Sequence, residues 1–298
     1  MNIIKPERLK IGDTIGILAT AGAVEDRNNV LRAKKFFETK GYNVVLSRNV
    51  FSRYRYLAGK DEEKVKELHR FFEDKNINAI ICMRGGYGAV RLVEKIDYDL
   101  IRNNPKIFCG YSDISALSAM IYKRSGLITY SGPLAQSDFG LLEPSKFTLN
   151  SFFEAVTCEK ELCFEPENNC KIYRNGYAQG ILWGGNLATI VSLCGLDFLP
   201  DEKFIFFTEE LNEEVYKIDK MMTQLINIKQ FRDNIQAIVS GDFLNIDNRE
   251  MLNDLFLEIS DKLKVPVIGG FKITHEKDKI TLPYGAAARL EENKLYVI

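Results

Sequence analysis

From residue 14 onward, short β-rich runs alternate with longer stretches of amphipathic helical pattern. In chain order these are the runs 14–19, 43–46, 78–83 and 106–109, and the helical stretches 25–40, 61–74, one from about Ala89 and one from Asp113. Strands that alternate with helices of this length predict a parallel sheet with helices on both faces. In such α/β sheets, ligands bind at the carboxyl ends of the strands. The loops that follow the strands are therefore where we expect a functional site.

The alternation breaks between residues 141 and 175, where the sequence becomes polar and contains proline and asparagine. We interpret 146–175 as a linker between a domain of residues 1–145 and a domain of residues 176–298. The second part predicts a mixed α/β domain with a β-rich end. Its predicted elements are a buried turn and helix at 180–200, apolar runs at 204–208, 235–239 and 265–268, helices at 213–228 and 248–262, and the β-rich end at 280–298.

Composition and charge exclude several classes of partner. The 298 residues include 40 Lys and Arg against 41 Asp and Glu, a formal net charge of -1, so no basic face for nucleic acid is expected. Neither a secretory signal nor a membrane span is evident. The six cysteines form no CxxC pair, and Cys82 and Cys109 lie in apolar runs. These features predict a cytoplasmic protein with reduced thiols and with neither nucleic-acid nor membrane partners.

Ser112 stands where a short apolar run meets a helical pattern, in Gly110-Tyr-Ser-Asp113. Strand-turn-helix corners of this kind hold the nucleophile in several hydrolase folds, because the turn lifts the hydroxyl above the sheet beside unpaired backbone N–H groups. Serine is also a preferred helix N-cap. The local pattern leaves both interpretations open.

A serine nucleophile needs a base and an acid that orients the base. Of the two histidines, His69 lies mid-helix among charges, which favours a solvated or packing role, whereas His275 lies in a polar loop after the run 265–268. Glu209 follows the run 204–208 and completes the chain order Ser, acid, His of one broad class of serine hydrolases. Its neighbour Glu210 fits equally well by spacing. Glu213 and Glu214 are better explained as the start of the next helix.

The turn Arg84-Gly-Gly-Tyr-Gly88 follows the predicted strand 78–83. Its unencumbered backbone is suited to offer an N–H to an oxyanion near Ser112, with the N–H of Asp113 as the second donor. A phosphate or dinucleotide cradle is the competing interpretation. The full spacing of that fingerprint is absent and no P-loop lysine follows, which disfavours the cradle.

Together these residues resemble the LD-carboxypeptidase family of serine peptidases, which includes the microcin-immunity peptidases. The likeness covers nearly the whole chain. Its motifs, in order, are Leu9-Lys-Ile-Gly-Asp-Thr-Ile-Gly-Ile17, Tyr56-Leu-Ala-Gly-Lys-Asp61, Met83-Arg-Gly-Gly-Tyr-Gly88, Gly110-Tyr-Ser-Asp113, Ser131-Gly-Pro133, Gly184-Gly-Asn-Leu187, the acid loop and helix at 208–219, and Leu282-Pro-Tyr-Gly285. Two departures are the absence of a glycine just before His275 and a Glu-Glu pair where Glu-Asp is more usual.

The resemblance implies a flavodoxin-like N-terminal domain that carries the serine and a C-terminal domain that carries glutamate and histidine, commonly in a homodimer. It assigns Ser112 as nucleophile, His275 as general base, Glu209 as the residue that orients it, and the backbone of Gly86 (or Gly85) and Asp113 as oxyanion donors. No metal or cofactor is implied.

The implied activity is removal of the terminal D-alanine from murein tetrapeptides during cell-wall recycling. A microcin-immunity-type peptidase that cleaves peptidyl- or aminoacyl-nucleotide amides is an alternative with the same chemistry. A two-domain small-molecule binding protein without catalysis is an alternative of another class.

Overall fold

The computed structural model describes residues 2–168 and 170–298. The chain forms two compact units. The first extends to Cys158 and takes in residues 281–283, and the second comprises residues 159–280 and 284–298. Among the described residues, no helix combines the length and apolarity needed to cross a membrane.

The first unit is built on a parallel sheet whose inner strands are short and buried, as β3 shows along its whole length. Its elements are β1 (Thr14–Leu18), α1 (Arg27–Thr39), β2 (Asn43–Leu46), α2 (Asp61–Glu73), β3 (Ala79–Cys82), α3 (Tyr98–Asn103), β4 (Ile107–Cys109), α4 (Ser115–Ser125), β5 (Thr129–Ser131) and α5 (Lys146–Thr157). The strand order β2-β1-β3-β4-β5, with parallel pairing throughout, is the flavodoxin-like order. The prediction of a flavodoxin-like sheet is confirmed.

The second unit contains an eight-stranded mixed sheet of order β6-β14-β13-β8-β9-β10-β11-β7. The remaining elements of the chain are β6 (Leu162–Phe164), β7 (Ile172–Arg174), β8 (Ala178–Asn186), α6 (Leu187–Val191), β9 (Phe204–Leu211), α7 (Val215–Asn227), α8 (Lys229–Asn234), β10 (Ile235–Leu244), α9 (Arg249–Leu263), β11 (Val267–Gly269), β12 (Leu282–Tyr284), β13 (Ala287–Glu291) and β14 (Lys294–Val297). The central strands β8 to β11 are parallel and the outer pairs antiparallel. This agrees with the predicted mixed α/β domain with a β-rich end.

The first sheet gains a strand from near the end of the chain, because β12 lies beside β5. Within the first unit, the Thr281 N–H donates to the Ser151 hydroxyl at 2.9 Å. A Cβ on Gly132 would lie 2.8 Å from Thr281 Cγ2, so glycine is needed there for close packing. The sequence did not predict that β12 would join the first sheet.

Three local expectations differ from the structure. Residues 146–175 are not a bare linker, since they contain α5, β6 and β7 and the division between the units falls at Cys158. The helix expected from about Ala89 is replaced by turns, and α3 begins only at Tyr98, where Asp97 caps it by accepting from the Leu100 N–H at 2.9 Å.

The third difference concerns residues 180–186, which form most of strand β8 and not a turn. Glycine is required at 184 because a side chain there would overlap the backbone of Phe207 on the adjacent strand β9. A glycine pair inside a strand thus reflects close backbone approach.

Candidate active site

Ser112 lies at the carboxyl end of β4 and is the first residue of a 3₁₀ turn that leads into α4. Its φ of 64° lies in the left-handed region, which costs a non-glycine residue about 1–3 kcal/mol. The N-cap positions of the turn and of α4 are Tyr111 and Ile114, so Ser112 is not the cap. A strained serine at a strand-turn-helix corner is the geometry of a nucleophile elbow.

The glycine-rich turn after β3 lies directly beside this corner. A Cβ on Gly85 would be 3.3 Å from Ser112 Oγ and 3.6 Å from the Asp113 nitrogen. The Gly85 carbonyl accepts from the Gly22 N–H at 3.1 Å, and the planar trans peptide therefore directs the Gly86 N–H the opposite way. Within the described residues this N–H donates to no acceptor. The first unit thus brings together Ser112, Gly85, Gly86 and Asp113.

Replacing Gly85 with alanine is expected to lower kcat/KM about 100-fold, because the new methyl group would sit 3.1 Å from Ser112 Cβ and crowd its hydroxyl. Steady-state kinetics and urea unfolding of the variant measure activity and stability separately. Gly195→Ala is the control for a loss of stability alone, since a φ of 107° strains an alanine there while the added methyl group meets nothing within 4 Å. Equal activity losses in the two variants would contradict a local effect at Ser112.

The Asp113 carboxylate holds the glycine-rich turn in place. Its Oδ2 accepts from the Ala89 N–H at 2.8 Å. Lys64, which is fully buried, donates to the Gly88 carbonyl at 3.5 Å and pairs with Asp61 at 3.3 Å. Lys64 was not predicted from the sequence, although its position three residues after Asp61 on a helix was an available signal. Burial raises the pKa of Asp113 to about 6.

This raised pKa predicts a pH-dependent stability difference between the native protein and an Asp113→Asn variant. The folded carboxyl, with a pKa of about 6 against an ordinary 3.8, binds a proton more readily than the unfolded one. The native protein therefore loses stability relative to the variant as pH rises from about 4 to about 6. The full change is at most about 3 kcal/mol, and urea unfolding of both proteins across that range measures it. A pH-independent difference would contradict the assignment.

In the second unit, Glu209 and His275 form a direct pair. Glu209 Oε2 lies 2.9 Å from His275 Nδ1. The carboxylate is buried, with its residue 3% exposed, and its other oxygen, Oε1, has no hydrogen-bond partner among the described residues. A buried carboxylate on Nδ1 holds the imidazole in one tautomer with Nε2 as the proton acceptor, which is the arrangement a general base needs.

Glu210 occupies a separate position. Its carboxylate accepts from Asn186 Nδ2 at 2.9 Å, the Leu211 N–H at 2.9 Å and the Ala188 N–H at 2.7 Å. Successive strand residues point to opposite faces, so one acid of the pair meets His275 and the other meets the start of α6. Burial raises the pKa of Glu210. Spacing in the sequence could not choose between the two acids, whereas the alternation of side-chain faces along β9 separates them.

The histidine loop is fixed on strand β10. The Asp242 N–H donates to the Ile273 carbonyl at 2.9 Å, where a side chain on Gly241 would overlap the same carbonyl. Thr274 Oγ1 accepts from the Glu276 N–H at 2.9 Å. This side-chain-to-backbone turn of Thr274 shapes the loop at the position where many members of the family that the motifs resemble have a glycine.

His69 lies within α2 and makes a local hydrogen bond. Its Nε2 accepts from the Asp97 N–H at 2.9 Å, just before α3, and burial lowers the pKa of the imidazole. In the described part of the chain, no three His, Cys, Asp or Glu side chains are grouped in a way that could hold a metal ion.

Comparison with known proteins places the chain in a family. Residues 15–132 match the LD-carboxypeptidase N-terminal domain, and residues 179–290 match the LD-carboxypeptidase C-terminal domain. A probable murein peptide carboxypeptidase of Bacillus subtilis is 34% identical over 96% of this chain and 91% of its own length. The microcin C7 self-immunity protein MccF of Escherichia coli is 28% identical over 96% of this chain and 93% of its own.

Solved structures agree. An MccF-like protein from Bacillus anthracis superposes with a TM-score of 0.91 at 27% identity, covering 99% of each chain. A muramoyltetrapeptide carboxypeptidase from Oxalobacter formigenes gives 0.85 at 29% identity, covering 95% of this chain and 97% of the other. The chain therefore belongs to the LD-carboxypeptidase family, as the resemblance of its motifs predicted.

Proposed function

We propose that this protein is a serine LD-carboxypeptidase that hydrolyses the L,D-peptide bond to the terminal D-alanine of murein tetrapeptides. The observation that carries the proposal is the buried Glu209 carboxylate on His275 Nδ1. A protein that only binds a small molecule has no need of an oriented base. The substrate class is supported by the relatives named murein peptide and muramoyltetrapeptide carboxypeptidase.

In the proposed mechanism, Ser112 Oγ attacks the carbonyl carbon of the diamino acid while His275 Nε2 takes the hydroxyl proton. The resulting oxyanion is stabilised by the N–H groups of Gly86 and Asp113. His275 returns the proton to the amine of D-alanine, which leaves as the C–N bond breaks. A water molecule, deprotonated by His275, then hydrolyses the acyl ester and frees Ser112. Glu209 keeps its charge throughout and stabilises the imidazolium.

A second candidate is the cleavage of aminoacyl-nucleotide amides, which the similarity to MccF and its relatives favours. The catalytic groups are the same, so the substrate alone separates the two activities. Incubation with murein tri-, tetra- and pentapeptides and with an aminoacyl sulfamoyl adenosine, followed by mass spectrometry, tests both. Release of D-alanine from the tetrapeptide only is expected. Cleavage restricted to the nucleotide compound would overturn the murein assignment, and no cleavage of any compound would favour a binding protein.

We also propose a cytoplasmic homodimer. Support for the compartment comes from six cysteines that are all free in the structure, two of them buried at Cys82 and Cys109. The dimer rests on the family resemblance. Cell fractionation tests the location, and light scattering coupled to size-exclusion chromatography tests the oligomeric state.

A further inference from the structure

Two family motifs each place a large aromatic side chain in solvent, and neither ring is used by the mechanism above. Tyr56 is 58% exposed and Tyr87 is 47% exposed. Their ring centroids lie 5.7 Å apart with the planes at 57°. Exposed aromatic faces that lie together, and not singly, mark interaction sites.

Both rings are held by rigid local structure. Tyr56 lies in a tight turn in which Tyr54 and Leu57 exchange backbone hydrogen bonds of 2.8 and 3.0 Å. The Tyr87 hydroxyl interacts with the guanidinium of Arg91, which in turn pairs with the buried Asp61 at 2.7 Å. Ring positions that are fixed before binding reduce the entropy lost when a ligand stacks on them.

The Tyr56–Tyr87 pair lies in the loops that follow strands β2 and β3, at the same edge of the first sheet as Ser112, which follows β4. A series of backbone contacts in the first unit connects the pair with Ser112. The Tyr56 carbonyl accepts from the Ala23 N–H at 2.8 Å, and the next residue towards the corner, Gly22, donates to the Gly85 carbonyl at 3.1 Å. Gly85 itself borders Ser112. Tyr87 follows Gly85 by two residues, so their Cα atoms are at most about 7.6 Å apart.

We propose that Tyr56 and Tyr87 form a platform that stacks the muramyl sugar of the substrate. This inference rests on the proposed function. A tetrapeptide cleaved before its last residue keeps three residues between the broken bond and the sugar, and an extended chain of that length spans about 10 Å. Gly85 borders Ser112 and Tyr87 lies only two residues further along the chain, so a span of this length is of the right order to reach the rings.

The geometry favours a sugar over a nucleobase. Two rings in mutual contact and tilted by 57° cannot enclose a flat base between parallel faces. They offer instead an angled apolar surface that suits the C–H groups of a puckered pyranose. The side chain of Arg91, 41% exposed, provides a hydrogen-bond donor at the rim for hydroxyl or carbonyl groups of the sugar.

The test compares one tetrapeptide in two forms, free and joined to N-acetylmuramic acid. With the double variant Tyr56→Ala, Tyr87→Ala we expect KM for the sugar-bearing form to rise about tenfold, with kcat and the kinetics of the free peptide little changed. The Tyr87→Phe variant keeps the ring and loses only the contact of its hydroxyl with Arg91, so its KM for the sugar-bearing form should rise far less than that of the double alanine variant. Tyr177→Ala, which removes a 60% exposed tyrosine of the second unit, is the matched control.

Equal losses on both peptide forms, or no loss on either, would overturn the sugar platform. A loss seen only with an aminoacyl sulfamoyl adenosine would assign the rings to a nucleobase and overturn it as well. If the native protein cleaves neither peptide form, the proposed function itself fails, and this outcome is distinct from cleavage that is insensitive to the tyrosines.

Discussion

Replacing Ser112 with alanine is expected to lower kcat on a murein tetrapeptide by about 10⁶-fold, because loss of the attacking oxygen removes the covalent route. The fold should be retained, since alanine keeps the backbone of the corner and the hydroxyl is not a helix cap. Mass spectrometry of D-alanine release measures the activity, and urea unfolding measures the stability. Activity within tenfold of the native protein would rule out Ser112 as the nucleophile.

A second variant at the same position separates strain from chemistry. Ser112→Gly is expected to be as inactive as the alanine variant but more stable than it by about 1 kcal/mol, because glycine adopts a φ of 64° without a Cβ penalty. The comparison needs only two unfolding curves. Equal stability of the two variants would show that the corner stores no strain at Ser112.

Replacing Glu209 with glutamine is expected to lower kcat by about 10⁴-fold. The neutral amide no longer stabilises the imidazolium that forms during the reaction, and when its NH2 faces Nδ1 it donates to that nitrogen and holds the imidazole in the tautomer with a protonated Nε2. The variant's pH–rate profile and kcat, measured on the tetrapeptide, report this loss. The binding of substrate, seen in KM, should change far less.

Glu210→Gln is the matched control for this variant. Its carboxylate accepts from three donors at the start of α6 and the end of β9, so the substitution should cost about 1–3 kcal/mol of stability while activity stays within tenfold. Opposite phenotypes in two adjacent glutamates are thus expected. The reverse result, with Glu210→Gln inactive and Glu209→Gln only destabilised, would exchange their roles.

Sequence patterns predicted strands β1 to β4 within one residue at each end, because short apolar runs leave a strong signal, whereas β5 was not predicted. The helix expected from about Ala89 was wrong for a physical reason. Residues after Gly88 carry a helix-like apolar spacing, but the Ala89 N–H is held by the Asp113 side chain from another loop. Such a tertiary contact is not encoded in local periodicity.

The candidate site was predicted in part. Chain order and position after strands indicated Ser112 and His275, and the structure adds the positive φ of one and the carboxylate partner of the other. The choice between Glu209 and Glu210 depends on which face of β9 meets the histidine loop, and the strand's own residues do not reveal this. Buried Lys64 was missed because mid-helix lysines usually lie in water.

The late return of β12 has a consequence for synthesis on the ribosome. One edge strand of the first sheet, β12, comes from residues 282–284, so nearly the entire polypeptide is made before that sheet is complete. Until then β5 has an unpaired edge, which is a site for association with other chains. An N-terminal fragment ending at Cys158 would keep that edge permanently, and we expect it to aggregate unless residues 282–284 are supplied to it.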